Sequence, residues 1–223
     1  MKTKAIFSLF LGFFFSIAAL HAQDLSKYRE FALGANLTTV LRATNQKLTE
    51  VNQTPGISPI LQELTWWPPH ASGSPYRSDS VEQILFSFSD GRLFKMTVTY
   101  DQNSTEGLTA EDMVKSISEK YGAPATVFPE ITANANNHYN AREKSVATWE
   151  DPQRSLNLVR SSFSNRFGLV IYTKKINGDV QLAIAEALKL AELEGPQREA
   201  QRQKKQTDDL EVARQRNQRT FRP

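Results

Sequence analysis

The stretch EQILFSFSDGRLFKMTVTY, residues 82–100, places apolar side chains at every second position on both sides of an Asp-Gly pair. Ile84, Phe86 and Phe88 share one face of its first half, and Phe94, Met96, Val98 and Tyr100 share one face of its second. A period of two is that of a strand, and two such runs around a turn predict an antiparallel hairpin. Because side chains alternate, the two apolar sets meet on one face only if the connection holds an odd number of residues. The pattern therefore predicts a three-residue loop, Ser89-Asp90-Gly91, with Gly91 in the left-handed conformation of a bulge. A two-residue Asp-Gly turn would instead set the phenylalanines opposite Lys95 and Thr97.

Upstream, ILQELTWW (60–67) alternates in the same way, so Leu64 and Trp66 fall on one side of a strand and Thr65 and Trp67 on the other. The segment PPHASGSPYRSDS (68–80) is too rich in proline, serine and glycine to continue it and reads as a surface loop. Before this strand, LGANLTTVLRATNQ predicts a short helix capped by Asn36 and ending near Asn45, with Leu37, Val40 and Leu41 on one face. Downstream, LTAEDMVKSISEKYGAP predicts a second helix. Thr109 caps it, Asp112 is the reciprocal partner, Met113, Val114, Ile117 and Tyr121 form the apolar stripe, and Gly122 and Pro124 end it. After an asparagine-rich loop, SVATWE, SLNLVRSSF and RFGLVIYTKK are three further strands.

The order helix, LTWWPP, strand, strand is thus followed by helix, ATWEDP, strand, strand. Trp66 and Trp149 stand at the same spacing as Pro69 and Pro152. This predicts a tandem repeat, with a first helix-plus-strands module over residues 23–104 and a second over 105–175. The expected fold is α+β, three antiparallel strands per module, with the helices packed on one face of the sheet. Trp66 and Trp149 are expected as equivalent core residues. Trp67 lies on the other face, where its counterpart is Glu150. With His70 and Tyr76 it forms either a contact surface for a protein, peptide or sugar or a side chain covered by the 68–80 loop.

The segment YREFALGANLTTVLRATN, the ending KYGAP and the duplicated pattern over residues 31–175 resemble the beta-lactamase-inhibitor-protein-like group, which includes small outer-membrane lipoproteins. The resemblance implies an exported scaffold that binds other proteins through aromatics on its sheet. The first helix departs from that group in lacking the glycine-proline ending, and the second in lacking the opening glycine. Uncharacterised secreted bacterial proteins are similar too.

The N-terminus reads as a secretory signal peptide over residues 1–22. Lys2 and Lys4 precede an apolar run from Ala5 to Leu20, and small residues follow. The run is shorter than a comfortable membrane span, so a mature chain without a transmembrane segment, periplasmic or secreted, is expected. The chain has no cysteine, which excludes disulfides, thiolate metal sites, thiol nucleophiles and a lipidated cysteine.

The net charge is +3, with two lysines in the signal and eight basic against four acidic side chains in residues 195–223, so the body between them is net −3. That argues against nucleic-acid binding by the folded body. NGDVQLAIAEALKLAELEG predicts a turn, an Asp179 cap and a helix over residues 176–194. Residues 195–223 read as a basic polar tail, disordered or partly helical. It is either solvated or a tether making weak contact with an anionic surface.

Catalytic patterns are nearly absent. Beyond the signal only His70 and His138 occur, with no metal-ligand spacing, no serine elbow and no phosphate-binding glycine run. Asp79, Glu82, Glu150 and Asp151 could serve as an acid/base pair only if the fold joined them. No cofactor is called for. The expectation is an exported, non-catalytic protein-binding or envelope-associated module. The alternatives are an envelope hydrolase with a dispersed carboxylate or serine site, and a structural protein self-associating through its C-terminal helix.

Overall fold

A computed structural model describes residues 24–54, 57, 60–69, 79–128 and 143–222. The expected signal peptide lies outside them, as do His70, Tyr76 and His138. The described residues form ten strands and three α-helices: β1 (Lys27–Tyr28), β2 (Phe31–Ala32), α1 (Leu37–Thr44), β3 (Asn52–Thr54), β4 (Leu61–Trp66), β5 (Val81–Ser89), β6 (Arg92–Tyr100), α2 (Ala110–Tyr121), β7 (Thr126–Val127), β8 (Glu143–Glu150), β9 (Arg154–Ser161), β10 (Phe167–Thr173) and α3 (Lys174–Thr220). The fold is α+β. One antiparallel sheet among the described residues runs in the order β3-β4-β5-β6-β10-β9-β8-β7, and β1 and β2 form a separate small hairpin.

The central hairpin keeps the expected pairing by a different device. Ser89 pairs with Arg92, so the connection is the two-residue Asp90-Gly91 turn. Both residues have positive φ, 49° and 72°, the primed turn whose twist suits adjacent strands. The register then shifts: Phe88 faces Leu93 while Ser87 faces Lys95, leaving Phe94 as the extra residue of a bulge. The bulge restores the parity that the even turn would have lost, so Phe86 meets Met96 and Ile84 meets Val98. Asp90 is further pinned by Ile60, whose N–H reaches its carboxylate at 3.0 Å. The expected three-residue loop is therefore replaced by a turn plus a bulge three positions later.

The pairings place Trp66, Ile84, Val98, Leu169, Leu158 and Ala147 in one row across the inner face, and Leu64, Phe86, Met96, Ile171, Leu156 and Trp149 in the next. In register, a half-turn about an axis between β6 and β10 exchanges the rows, setting Trp66 on Trp149 and Phe86 on Leu158. This face, with α1, α2 and the β1–β2 hairpin over it, is the main core. The two indoles are covered differently. Trp149 is 2% exposed, whereas Trp66 is half-buried and meets the Phe31 ring edge-on at 5.4 Å.

Both short helices match their sequence signals. In α2, Thr109 and Asp112 form the reciprocal capping box, and Gly122 at φ 76° closes the helix. In α1 Asn36 occupies the cap position without a side-chain cap bond. Its backbone start is held instead by the central hairpin, with Leu37 N–H donating to Gly91 at 2.9 Å.

The C-terminal helix differs most from expectation. It begins at Lys174 and runs through Gly195 and Pro196 to Thr220. The Asn177-Gly178-Asp179 segment, expected as a turn, is helical because Ile176, Val180 and Ile184 share a face that packs on Leu61 and Phe94, on the side of the sheet opposite α1 and α2. Lys175 and Asp179 are joined one turn apart at 2.9 Å. A proline removes one helical hydrogen bond, while the flanking Glu, Gln, Lys, Arg and Ala residues favour helix. Ion pairs one turn apart, Arg202–Glu199 and Arg214–Glu211 among them, add to this.

Candidate functional site

The pleat of β4 separates the two adjacent tryptophans. Trp66 turns inward against Phe31, and Trp67, the next residue, is 56% exposed. Pro68 is buried and Pro69 exposed, so the chain leaves the strand with Trp67 facing solvent. Its expected companions His70 and Tyr76 lie outside the described residues, so the described part of the expected trio is Trp67 alone.

Among the described residues, α3 packs on the face of the sheet opposite α1 and α2 at one end, on Leu61 and Phe94. Beyond that end lies a row of mainly small polar side chains, Thr65, Leu85, Thr97, Val170, Asn157 and Thr148. Thr148 donates its hydroxyl to Asn157 at 2.8 Å, which fixes two half-buried side chains to each other. The next row holds Gln83, Thr99, Gly168, Val159 and Ser145, and β4 runs out beside it at Trp67. Gly168 leaves a cleft of about 220 Å³ lined by Thr97, Thr99, Val159 and Arg166. Arg166 is held beside it by Glu82, the residue of β5 that falls at a register shift between Val81 and Gln83. Sequence reasoning missed this cleft, because Gly168 stands inside an apolar run with no local signal that the strand after the 162–166 connection would lie beside β6.

The four candidate acid/base carboxylates are instead engaged by four different basic residues. Asp79 takes Arg29 in a two-pronged contact at 2.7 and 2.5 Å, Glu82 takes Arg166, Glu150 takes Lys174 at 2.7 Å and Asp151 takes Arg154 at 3.3 Å. Among the described residues no group of three or more His, Cys, Asp or Glu side chains is placed to hold a metal.

On the other side of the molecule a groove of about 340 Å³ contains Tyr28, Tyr100 and Tyr121. Burial pushes all three phenols above their ordinary value. Tyr121 donates to the Lys27 carbonyl at 2.8 Å, and the Lys120 ammonium lies 5.6 Å from the Tyr28 ring and 5.2 Å from the Tyr121 ring. These contacts fasten the β1–β2 hairpin to α2.

No helix of the described residues is long and apolar enough to cross a membrane. A protein-family model, the TP0088 domain, matches residues 26–177. This covers both short helices and every strand of the sheet and stops as α3 begins. Comparisons with curated proteins and with solved structures give no match.

Proposed function

The chain belongs to the TP0088 domain family, a family of uncharacterised bacterial proteins, and from that premise we propose that it is an exported, non-catalytic module that binds a protein partner in the cell envelope. The observation that carries this reading is Trp67, a large indole more than half exposed at the edge of a sheet face that, among the described residues, α3 covers at one end. Tryptophan supplies more contact area than most side chains for little lost conformational freedom, and it recurs at binding hot spots. The open face supplies hydroxyls and amides around a cleft, which suits a rim that exchanges hydrogen bonds with water for bonds to a partner.

The signal-like N-terminus supports export to the periplasm or beyond. The resemblance to the beta-lactamase-inhibitor-protein-like group supports a scaffold whose sheet aromatics make contacts. The exchange of the two inner rows supports an origin by duplication of one helix-plus-strands unit. The hydrolase alternative draws nothing from the four carboxylates, each already paired with a cation.

The test is affinity purification from envelope extracts with the wild-type chain and Trp67→Ala. Loss of one retained partner from the variant is expected, and an unchanged set of partners contradicts the reading.

Self-association through α3 is a second reading, favoured by Leu182, Leu190 and Leu193. All three are exposed and, at helical spacing, lie away from the docked Val180–Ile184 face. Sedimentation of the wild type against the double variant Leu182→Glu/Leu193→Glu tests it. A mass halved by the variant supports it, and equal masses exclude it.

A further inference from the structure

A groove of about 380 Å³ opens between α2 and the β7–β8–β9 end of the sheet, on the side away from Trp67. Its floor is apolar, made by Ala110 and Val114 of α2, Val127 and Phe128 at β7, and Val146 of β8. Val127 is 59% exposed, and Val114 and Phe128 beside it are half-buried, so the floor keeps apolar surface open to solvent. Val114 belongs to the apolar stripe of α2, yet it packs only partly on the core and turns its remaining surface into this groove.

Among the described residues, Lys115 and Lys144 stand at its rim with one lining carboxylate, Glu111, and Arg160 lines it too. Arg160 lies over the Phe167 ring at 5.0 Å. Neither Lys115 nor Lys144 forms an ion pair among the described residues, and both are exposed. This differs from the tyrosine groove, where Asp79 already neutralises Arg29.

We propose that this groove binds a fatty carboxylate, its acyl chain on the Val114–Val127–Phe128–Val146 floor and its carboxylate between Lys115 and Lys144. An apolar floor alone would take any hydrocarbon. Two unpaired ammonium groups at its rim select a chain that ends in one negative charge, because an opposite charge at contact is stabilised where water is partly excluded. The cavity lies within the usual size range of small-molecule sites. The occupant is independent of any protein bound at Trp67, since the two surfaces lie on opposite sides of the sheet.

The test is titration calorimetry of the chain from residue 23 onward with laurate below its micelle concentration. Decanoate, dodecanol and acetate serve as comparison ligands. Saturable one-to-one laurate binding is expected, weakened about tenfold for decanoate, in which two buried methylenes are missing. Dodecanol should bind more weakly than laurate, and acetate not measurably. Lys115→Glu/Lys144→Glu, at two exposed positions, should weaken laurate by about tenfold or more and leave dodecanol unchanged. Val127→Glu, at a 59% exposed position of the floor, should abolish both while the melting temperature and near-ultraviolet spectrum stay close to wild type. No saturable laurate binding, equal binding of laurate and dodecanol, or undiminished laurate binding by the charge-reversed variant overturns the proposal.

Discussion

The indole nitrogen of Trp149 donates to the carbonyl oxygen of Gly122 at 2.8 Å. Gly122 is the left-handed residue that closes α2, so one bond fixes the end of a helix to the strand beneath it, in a core where Trp149 is almost wholly enclosed. Trp149→Phe removes both the donor and part of the buried volume. Such losses cost about 2–3 kcal/mol. A lower urea midpoint with unchanged slope is expected, and an unchanged midpoint would mean that the bond contributes nothing net.

Gly168→Ala should destabilise the β6–β10 pairing. A Cβ there would stand 3.0 Å from the Val98 carbonyl and 3.3 Å from a Val159 methyl. The carbonyl belongs to a strand in the middle of the sheet and cannot move aside without disturbing the β6–β10 pairing. Overpacking of this kind costs about 1–3 kcal/mol, readable as a fall in thermal midpoint. Gly178→Ala is the control, because nothing lies within 4 Å of its added Cβ.

The element boundaries that were legible in the sequence are those written in local chemistry. Thr109 and Asp112 announce the start of α2, Gly122 its end, and Ile84, Phe86, Met96 and Val98 the central pairing. What was not legible depends on neighbours far along the chain. β3 and β7 are short edge strands of largely exposed side chains, so no alternation marks them, and the partner strand supplies their order. The bulge at Phe94 is set by the need to bring two apolar rows together, an outcome that a three-residue loop would have met equally well. The C-terminal helix was expected to end at residue 194, yet it continues through Gly195 and Pro196. Of the open face, the exposed position of Trp67 followed from the pleat, while the cleft at Gly168 arose only when β10 came to lie beside β6.

The capping box makes α2 sensitive to acid. Hydrogen bonds from the backbone and hydroxyl of Thr109 hold the Asp112 carboxyl below its ordinary value of 3.8. Because the folded value is the lower one, this contribution is fully present above about pH 4 and is lost as pH falls through the folded value. Asp112→Ala should therefore lower the melting temperature at pH 7, and its difference from wild type should shrink below pH 4. A difference independent of pH contradicts this assignment.

Alkali should act through the buried phenols. Tyr28, Tyr100 and Tyr121 are pushed above the ordinary value of 10.0 by burial. Here the folded value is the higher, so their contribution is complete below pH 10 and is lost as pH rises beyond it. Absorbance at 295 nm should show the phenols of Tyr28, Tyr100 and Tyr121 ionising late and together with unfolding. Tyr121→Phe should remove one late phenol and weaken attachment of the β1–β2 hairpin by about 1 kcal/mol, seen as faster exchange of the Leu33 amide, which is bonded to Ser26 at 2.8 Å.

Site-specific photo-crosslinking in cells decides most directly whether the open face engages a protein. A photoreactive residue at position 67 or position 99 should give the same discrete adduct, and one at position 111, on the α2 side, should not. Equal labelling from all three positions, or none from 67 and 99, contradicts a binding face centred on Trp67.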